Sequence, residues 1–132
     1  MSATVPFART PDECDRMFAE FVSGGDLDGL VGLYEPDAHY VERDGTVRCG
    51  HEEIRRVLSR LTSSPTTLDM RIVRIVEAAG IAIVYNDWSL KTAFGGTVVQ
   101  RAGKAIEIVR RNADGGWLFA IDDPFGRDPI CR

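Results

Sequence analysis

An α+β fold, with helices packed on one face of a curved antiparallel sheet, is what this chain of 132 residues predicts. Three observations carry that prediction. Up to Leu61 the apolar residues recur at helical spacing, three times over, with one short hairpin between. From Thr67 the period changes to two, and long alternating runs follow one another with turn residues between them, the pattern of an antiparallel meander. With 44% hydrophobic residues, the chain can form one core and one domain, residues 1–132, without linker, repeat or low-complexity tract.

Residues 1–9 carry no periodicity and read as a loose arm. Thr10-Pro11-Asp12-Glu13 then starts a helix, with Thr10 as cap, Pro11 at the first helical position and Glu13 where a capping box needs it. Its apolar stripe is Cys14, Met17, Phe18, Phe21 and Val22. After Ser23-Gly24-Gly25, Asp26 caps a second helix with Leu27, Leu30, Val31 and Tyr34 on one face, stopped by Glu35-Pro36-Asp37. Residues 39–43 read as a short strand on which Tyr40 and Glu42 share a face. Asp44-Gly45 turns it into Thr46-Val47-Arg48. Gly50 precedes a third helix, apolar at Ile54, Val57, Leu58 and Leu61, with its acids early and its arginines late, as the helix dipole favours. The long strands follow, broken at Gly80, by a loop from Lys91 to Gly96, and at Asp114-Gly115-Gly116. Gly103, inside one of them, reads as a bulge or bend.

Composition excludes several functions. A net charge of −4 provides no surface for nucleic acid. No apolar run is long enough to span a bilayer, and the N-terminus lacks a basic segment ahead of an apolar one, so neither a membrane helix nor a signal peptide is expected. Three widely spaced cysteines, Cys14, Cys49 and Cys131, fit reduced thiols and a cytoplasmic protein. His39 and Glu42 fall on opposite faces of their strand and His51 on a helix, so no metal set emerges. There is no phosphate loop, dinucleotide fingerprint or Ser-His-Asp arrangement, and no cofactor is expected.

One acid stands out. Glu107 interrupts the alternation of residues 102–111 on the face shared by Ala105 and Val109. Two readings are open: a pocket acid, or a half-exposed strand residue paired with an arginine such as Arg101. Tyr40 and Trp88 are placed to line the same cavity, with Asn86, Asp87 and Asp122 as further polar candidates.

Residues 25–38 (GDLDGLVGLYEPDA), the helix opened by Gly50 with Ile54, and Asp114-Gly115-Gly116-Trp117 followed by residues 121–126 (IDDPFG) resemble the SnoaL-like and ketosteroid-isomerase-like members of the nuclear transport factor two superfamily. The resemblance runs from Thr10 onward. It implies a cone-shaped scaffold, its curved sheet wrapped around the helices to enclose an apolar internal pocket, usually in a homodimer. It also implies a small apolar organic ligand. The isomerases' general base falls at Glu42, and their protonated hydrogen-bond donor at Glu107. Both are Glu where those enzymes have Asp. Their tyrosine oxyanion donor falls at Phe18, which has no hydroxyl; of the supporting tyrosines one falls at Tyr34 and another at Leu58. Proton transfer on an apolar carbonyl compound is one expectation, with Glu42 as base, Glu107 as donor, and Phe18, Tyr34, Tyr40, Leu58, Trp88 and Asp122 around the ligand. A non-catalytic ligand-binding or dimerisation module is the other, and docking on a larger partner a third.

Overall fold

The computed structural model describes residues 7–129, and the change of sequence period is the change from helix to strand. Three helices, α1 (Pro11–Ser23), α2 (Leu27–Gly32) and α3 (Gly50–Thr62), are interrupted by β1 (Tyr34–Val41) and β2 (Val47–Cys49). Four long strands follow, β3 (Thr66–Ala78), β4 (Ile81–Phe94), β5 (Thr97–Arg111) and β6 (Trp117–Asp123). All six strands form one curved, unclosed sheet in the order β2-β1-β6-β5-β4-β3, with α1 packed on β3 and α3 on β1. Among the described residues, no helix is long and apolar enough to cross a membrane.

The meander is antiparallel, as the turns require. Ala79-Gly80 and Gly95-Gly96 each place two consecutive residues at positive φ (53° and 79°, then 50° and 87°), the backbone that joins two twisted strands in the tightest hairpin. β1 is the exception: it pairs parallel to β6, with a register shift between Tyr34 and His39 around Pro36. Here the sequence reading needs correction. The second helix ends at Gly32, and Tyr34, expected on its apolar face, opens β1 opposite Phe119. The amide of Phe119 donates to the Leu33 carbonyl at 2.8 Å, so pairing with β6 takes over where Pro36 forbids another helical turn.

Two local expectations also change. Thr10 makes no side-chain cap to α1, and the Glu13 carboxylate accepts from the Arg9 amide instead, at 2.9 Å. The loose arm does not extend to Ala8, which is fully buried and bridges Trp117; residues 1–6 lie outside the described residues. Phe119 centres the core, edge-on to Phe18 at 6.2 Å and tilted against Tyr34 at 5.0 Å.

Candidate functional site

Register builds the site. Tyr40 on β1 lies opposite Asp122 on β6, and Asp122 opposite Glu107 on β5, so three polar side chains form one row across adjacent strands. Alternation along β5 turns Glu107 inward with Ala105 and Val109, as the sequence indicated. A skipped residue between the Ile108–Ile121 and Val109–Phe119 pairs lets β6 bury both Phe119 and Asp122.

This row floors a cavity of about 200 Å³ whose walls are Phe18, Leu68, Met70, Trp88 and Leu90, with Tyr40 beside the acids. Behind the floor, α1 contributes Asp15 and β4 contributes Asn86, both buried, and the Asn86 amide donates to Asp15 Oδ2 at 3.1 Å. Glu107 Oε1, Asp15 Oδ1 and Asn86 Oδ1 are all buried without a hydrogen-bond partner. Three facing acceptors need a proton among them. Burial first, then the charge and hydrogen bond of Asp15 and the charge of Asp122, raise the Glu107 carboxyl well above the usual carboxylate range, which puts the proton there. Asp15 is raised by burial and pulled back by its bonds to Glu107 and Asn86.

Asp122 is the intermediate case. Burial pushes its pKa up to about 7, against the opposing hydrogen bond from the Tyr34 hydroxyl, which donates to Oδ2 at 2.5 Å. Burial and the Asp122 charge hold the Tyr34 and Tyr40 hydroxyls protonated well beyond neutral pH. The floor thus holds a protonated acid, a carboxyl poised near neutrality and a phenol donor.

The remaining expected residues sort by position. Phe18 and Trp88 line the cavity. Leu58 is fully buried and, like Tyr34, is absent from the cavity wall; Tyr34 acts on the site only through Asp122. Glu42 sits at the cavity mouth in ion pairs with Arg48 (2.8 Å) and Arg60 (3.5 Å). Asp87 is not a wall residue: it is bound by Arg127, Arg71 and Lys104, which hold its carboxyl below the usual range. Glu107 makes no ion pair among the described residues; Arg110 spans to Glu35 instead, at 3.0 Å, and Arg101 lines the mouth. Among the described residues no group of three or more His, Cys, Asp or Glu is placed to hold a metal ion.

Asp15 was missed, although its signal was present. It falls four residues after Pro11 and three before Phe18, on the buried stripe of α1, where an acid has no reason to sit unless it is bonded. Gly103 reads differently too. β4 and β5 pair without a break there, and the glycine is needed because the Trp88 ring lies on it: a Cβ would come within 2.6 Å of the indole. The Trp88 Nε1–H donates to the Pro124 carbonyl at 2.7 Å and its ring meets Phe125 edge-on, so the indole has nowhere to retreat. Gly103→Ala is expected to destabilise by about 1–3 kcal/mol and to shift the Trp88 fluorescence. An unchanged melting temperature and spectrum would show that the ring is not pinned.

No curated protein matches the chain. Among solved structures, a conserved protein from Planctomyces limnophilus superposes with TM-score 0.78 at 21% identity, covering 86% of this chain and 91% of that one. A ketosteroid isomerase-like protein from Erwinia carotovora atroseptica gives 0.73 at 16% identity over 89% and 94%. An NTF2-like protein with a cystatin-like fold from Novosphingobium aromaticivorans gives 0.75 at 15% identity over 90% and 80%. These likenesses fix the fold as NTF2-like. A family model described as SnoaL-like domain matches residues 15–119, from the buried Asp15 to the central Phe119, and the chain belongs to that family.

Proposed function

We propose that this protein binds an apolar organic carbonyl compound and moves a proton on it, as an isomerase, cyclase or dehydratase does. The observation that carries the reading is Glu107: a carboxyl buried on a cavity floor, beside two further buried acids and with no ion pair among the described residues. A carboxyl with only a packing role would be paired with a base or replaced by an apolar side chain. In the reaction, Asp122 takes the α-proton of the ligand, since a base poised near neutrality is half ionised yet still basic. Glu107 turns its one proton from Asp15 to the ligand oxygen on which negative charge develops, and the Tyr40 hydroxyl is a second donor in the row. Tyr40 thus supplies from β1 the hydroxyl that Phe18 lacks on α1. Glu42, anchored by two arginines, shapes the mouth. All of these steps use protein groups alone.

The test is α-hydrogen exchange in deuterium oxide over a panel of ring-bearing ketones and β-hydroxy ketones, read by NMR. Compounds that bind should lose their α-proton signal faster with the protein than without it. Binding with no exchange across the panel would favour the second reading, a non-catalytic binder, which the missing hydroxyl of Phe18 supports.

A homodimer is part of the proposal. Val76, Ile83, Ile108 and Ile121 stand opposite one another across β3, β4, β5 and β6, and Val76 and Ile121 are exposed. Such an aliphatic row on an outer sheet face is suited to a second copy. Sedimentation equilibrium should give twice the chain mass; a monomer at micromolar concentration would refute it. A cytoplasmic location fits the free thiols of Cys14 and Cys49, and cell fractionation checks it.

A further inference from the structure

The mouth of the cavity carries the opposite charge to the protein as a whole. The chain has a net charge of −4, yet Arg43, Arg60 and Arg101 all line the cavity, against one rim carboxylate, Glu42. That carboxylate is already committed: Arg48 holds it at 2.8 Å and Arg60 lies farther off at 3.5 Å. Among the described residues Arg43 and Arg101 enter no ion pair. Arg43 is placed by its guanidinium, 5.3 Å from the centroid of Phe125, which is itself a wall residue. Arg101 lies opposite Leu90 on the inner face of β5, in the alternation that points Ala105 and Glu107 inward.

Resting on the reading of this cavity as a ligand site, we infer that its ligand is an elongated organic anion, a carboxylate on an apolar body, with the charge held by the arginines of the mouth and the carbonyl at the floor. Separation along the strand sets the shape. Arg101 and Glu107 are six residues apart on β5, about 20 Å between their backbones at roughly 3.3 Å per residue, a span that the two side chains shorten from both ends, so charge and reacting centre lie at opposite ends of the molecule. Leu68, Met70, Trp88 and Leu90 supply an apolar wall for its body. The floor accepts such a ligand because Glu107 is protonated there and repels nothing. A guanidinium pairs with a carboxylate through two parallel hydrogen bonds, which discriminates against a neutral amide of the same shape. A positive mouth on a negative protein also concentrates anions at the one place where they enter.

The test is calorimetric titration of the intact protein with a matched pair, 4-biphenylacetate and 4-biphenylacetamide. The carboxylate is expected to bind about ten-fold more tightly or better, a difference of about 1.4 kcal/mol. In the double variant Arg43→Gln/Arg101→Gln, which replaces exposed side chains and is checked by its melting curve, the ratio should fall close to one. Equal binding of the two compounds, or a ratio that survives in the variant, overturns the anion proposal while the pocket reading stands. Failure of both compounds to bind overturns the pocket reading and this proposal with it.

Discussion

Between about pH 5 and about pH 8 the melting temperature is expected to fall by on the order of 10 °C, with Asp122 as the main cause. The sign follows from proton counts. Asp122 titrates near pH 7 in the folded chain and near 3.9 when unfolded, so between those values the folded state binds the extra proton and a rise in pH favours unfolding. One carboxyl with that difference accounts for about 4 kcal/mol in all, of which about 3 kcal/mol is lost between about pH 5 and about pH 8, a large part of a typical domain's stability. Glu107 and Asp15 are raised as well and act in the same direction. Asp12, Asp44 and Asp87 are lowered, and their contribution is present above the unfolded carboxylate range and lost below it. The contribution of these groups should therefore be largest near the unfolded carboxylate range, at about pH 4, and decline on both sides. Asp122→Asn should flatten the alkaline side, because its side-chain oxygen still accepts from Tyr34 and has no charge to desolvate. Melting curves at one protein concentration measure this. A wild-type curve that rises or stays level from about pH 5 to about pH 8 would mean that the buried acids are not where burial places them.

How much of this was legible in the sequence depended on whether the signal was local. Asp26 as a cap, a turn at Asp44-Gly45 and the alternation that turns Glu107 inward are short-range facts and appear as read. The loop expected over residues 91–96, by contrast, shrinks to Gly95-Gly96 because β4 runs on to Phe94, and the strand expected to reach residue 43 ends at Val41. What required partners far along the chain was not legible. Tyr34 fitted the helical period of Leu27 and Leu30, and only the parallel pairing with β6 makes it a strand residue. Gly103 showed itself as a glycine, but its reason, the Trp88 ring, sits on another strand. The same holds for the site. Glu107 could be singled out by pattern, whereas Asp15 and Asp122 acquire meaning only when α1, β5 and β6 bring three carboxyls together. Glu42 shares its strand face with Tyr40 on paper, but Arg48 across the hairpin and Arg60 from α3 claim it.

Two conservative substitutions on the floor should have unequal effects on proton exchange. Asp122→Asn removes the base and is expected to lower the exchange rate by about 10²–10⁴-fold. Glu107→Gln replaces a protonated acid with an amide of nearly the same shape that still donates a hydrogen bond, though a weaker one, and should cost about ten-fold, or ~1.4 kcal/mol of transition-state stabilisation. Glu107→Ala removes the donor altogether and is expected to cost about 10²–10³-fold. It also leaves Asp15 without its proton-bearing neighbour, so its stability must be followed alongside. The contrast between the first two variants is the informative quantity, because both preserve volume and neither adds charge. If Glu107→Gln is as inactive as Asp122→Asn, Glu107 delivers a proton rather than a hydrogen bond, and the assignment of roles fails. If Asp122→Asn exchanges at the wild-type rate, the base lies elsewhere. Glu42 is then the remaining acid on the cavity wall, and Glu42→Gln, which severs its links to Arg48 and Arg60, should be the variant that stops the reaction.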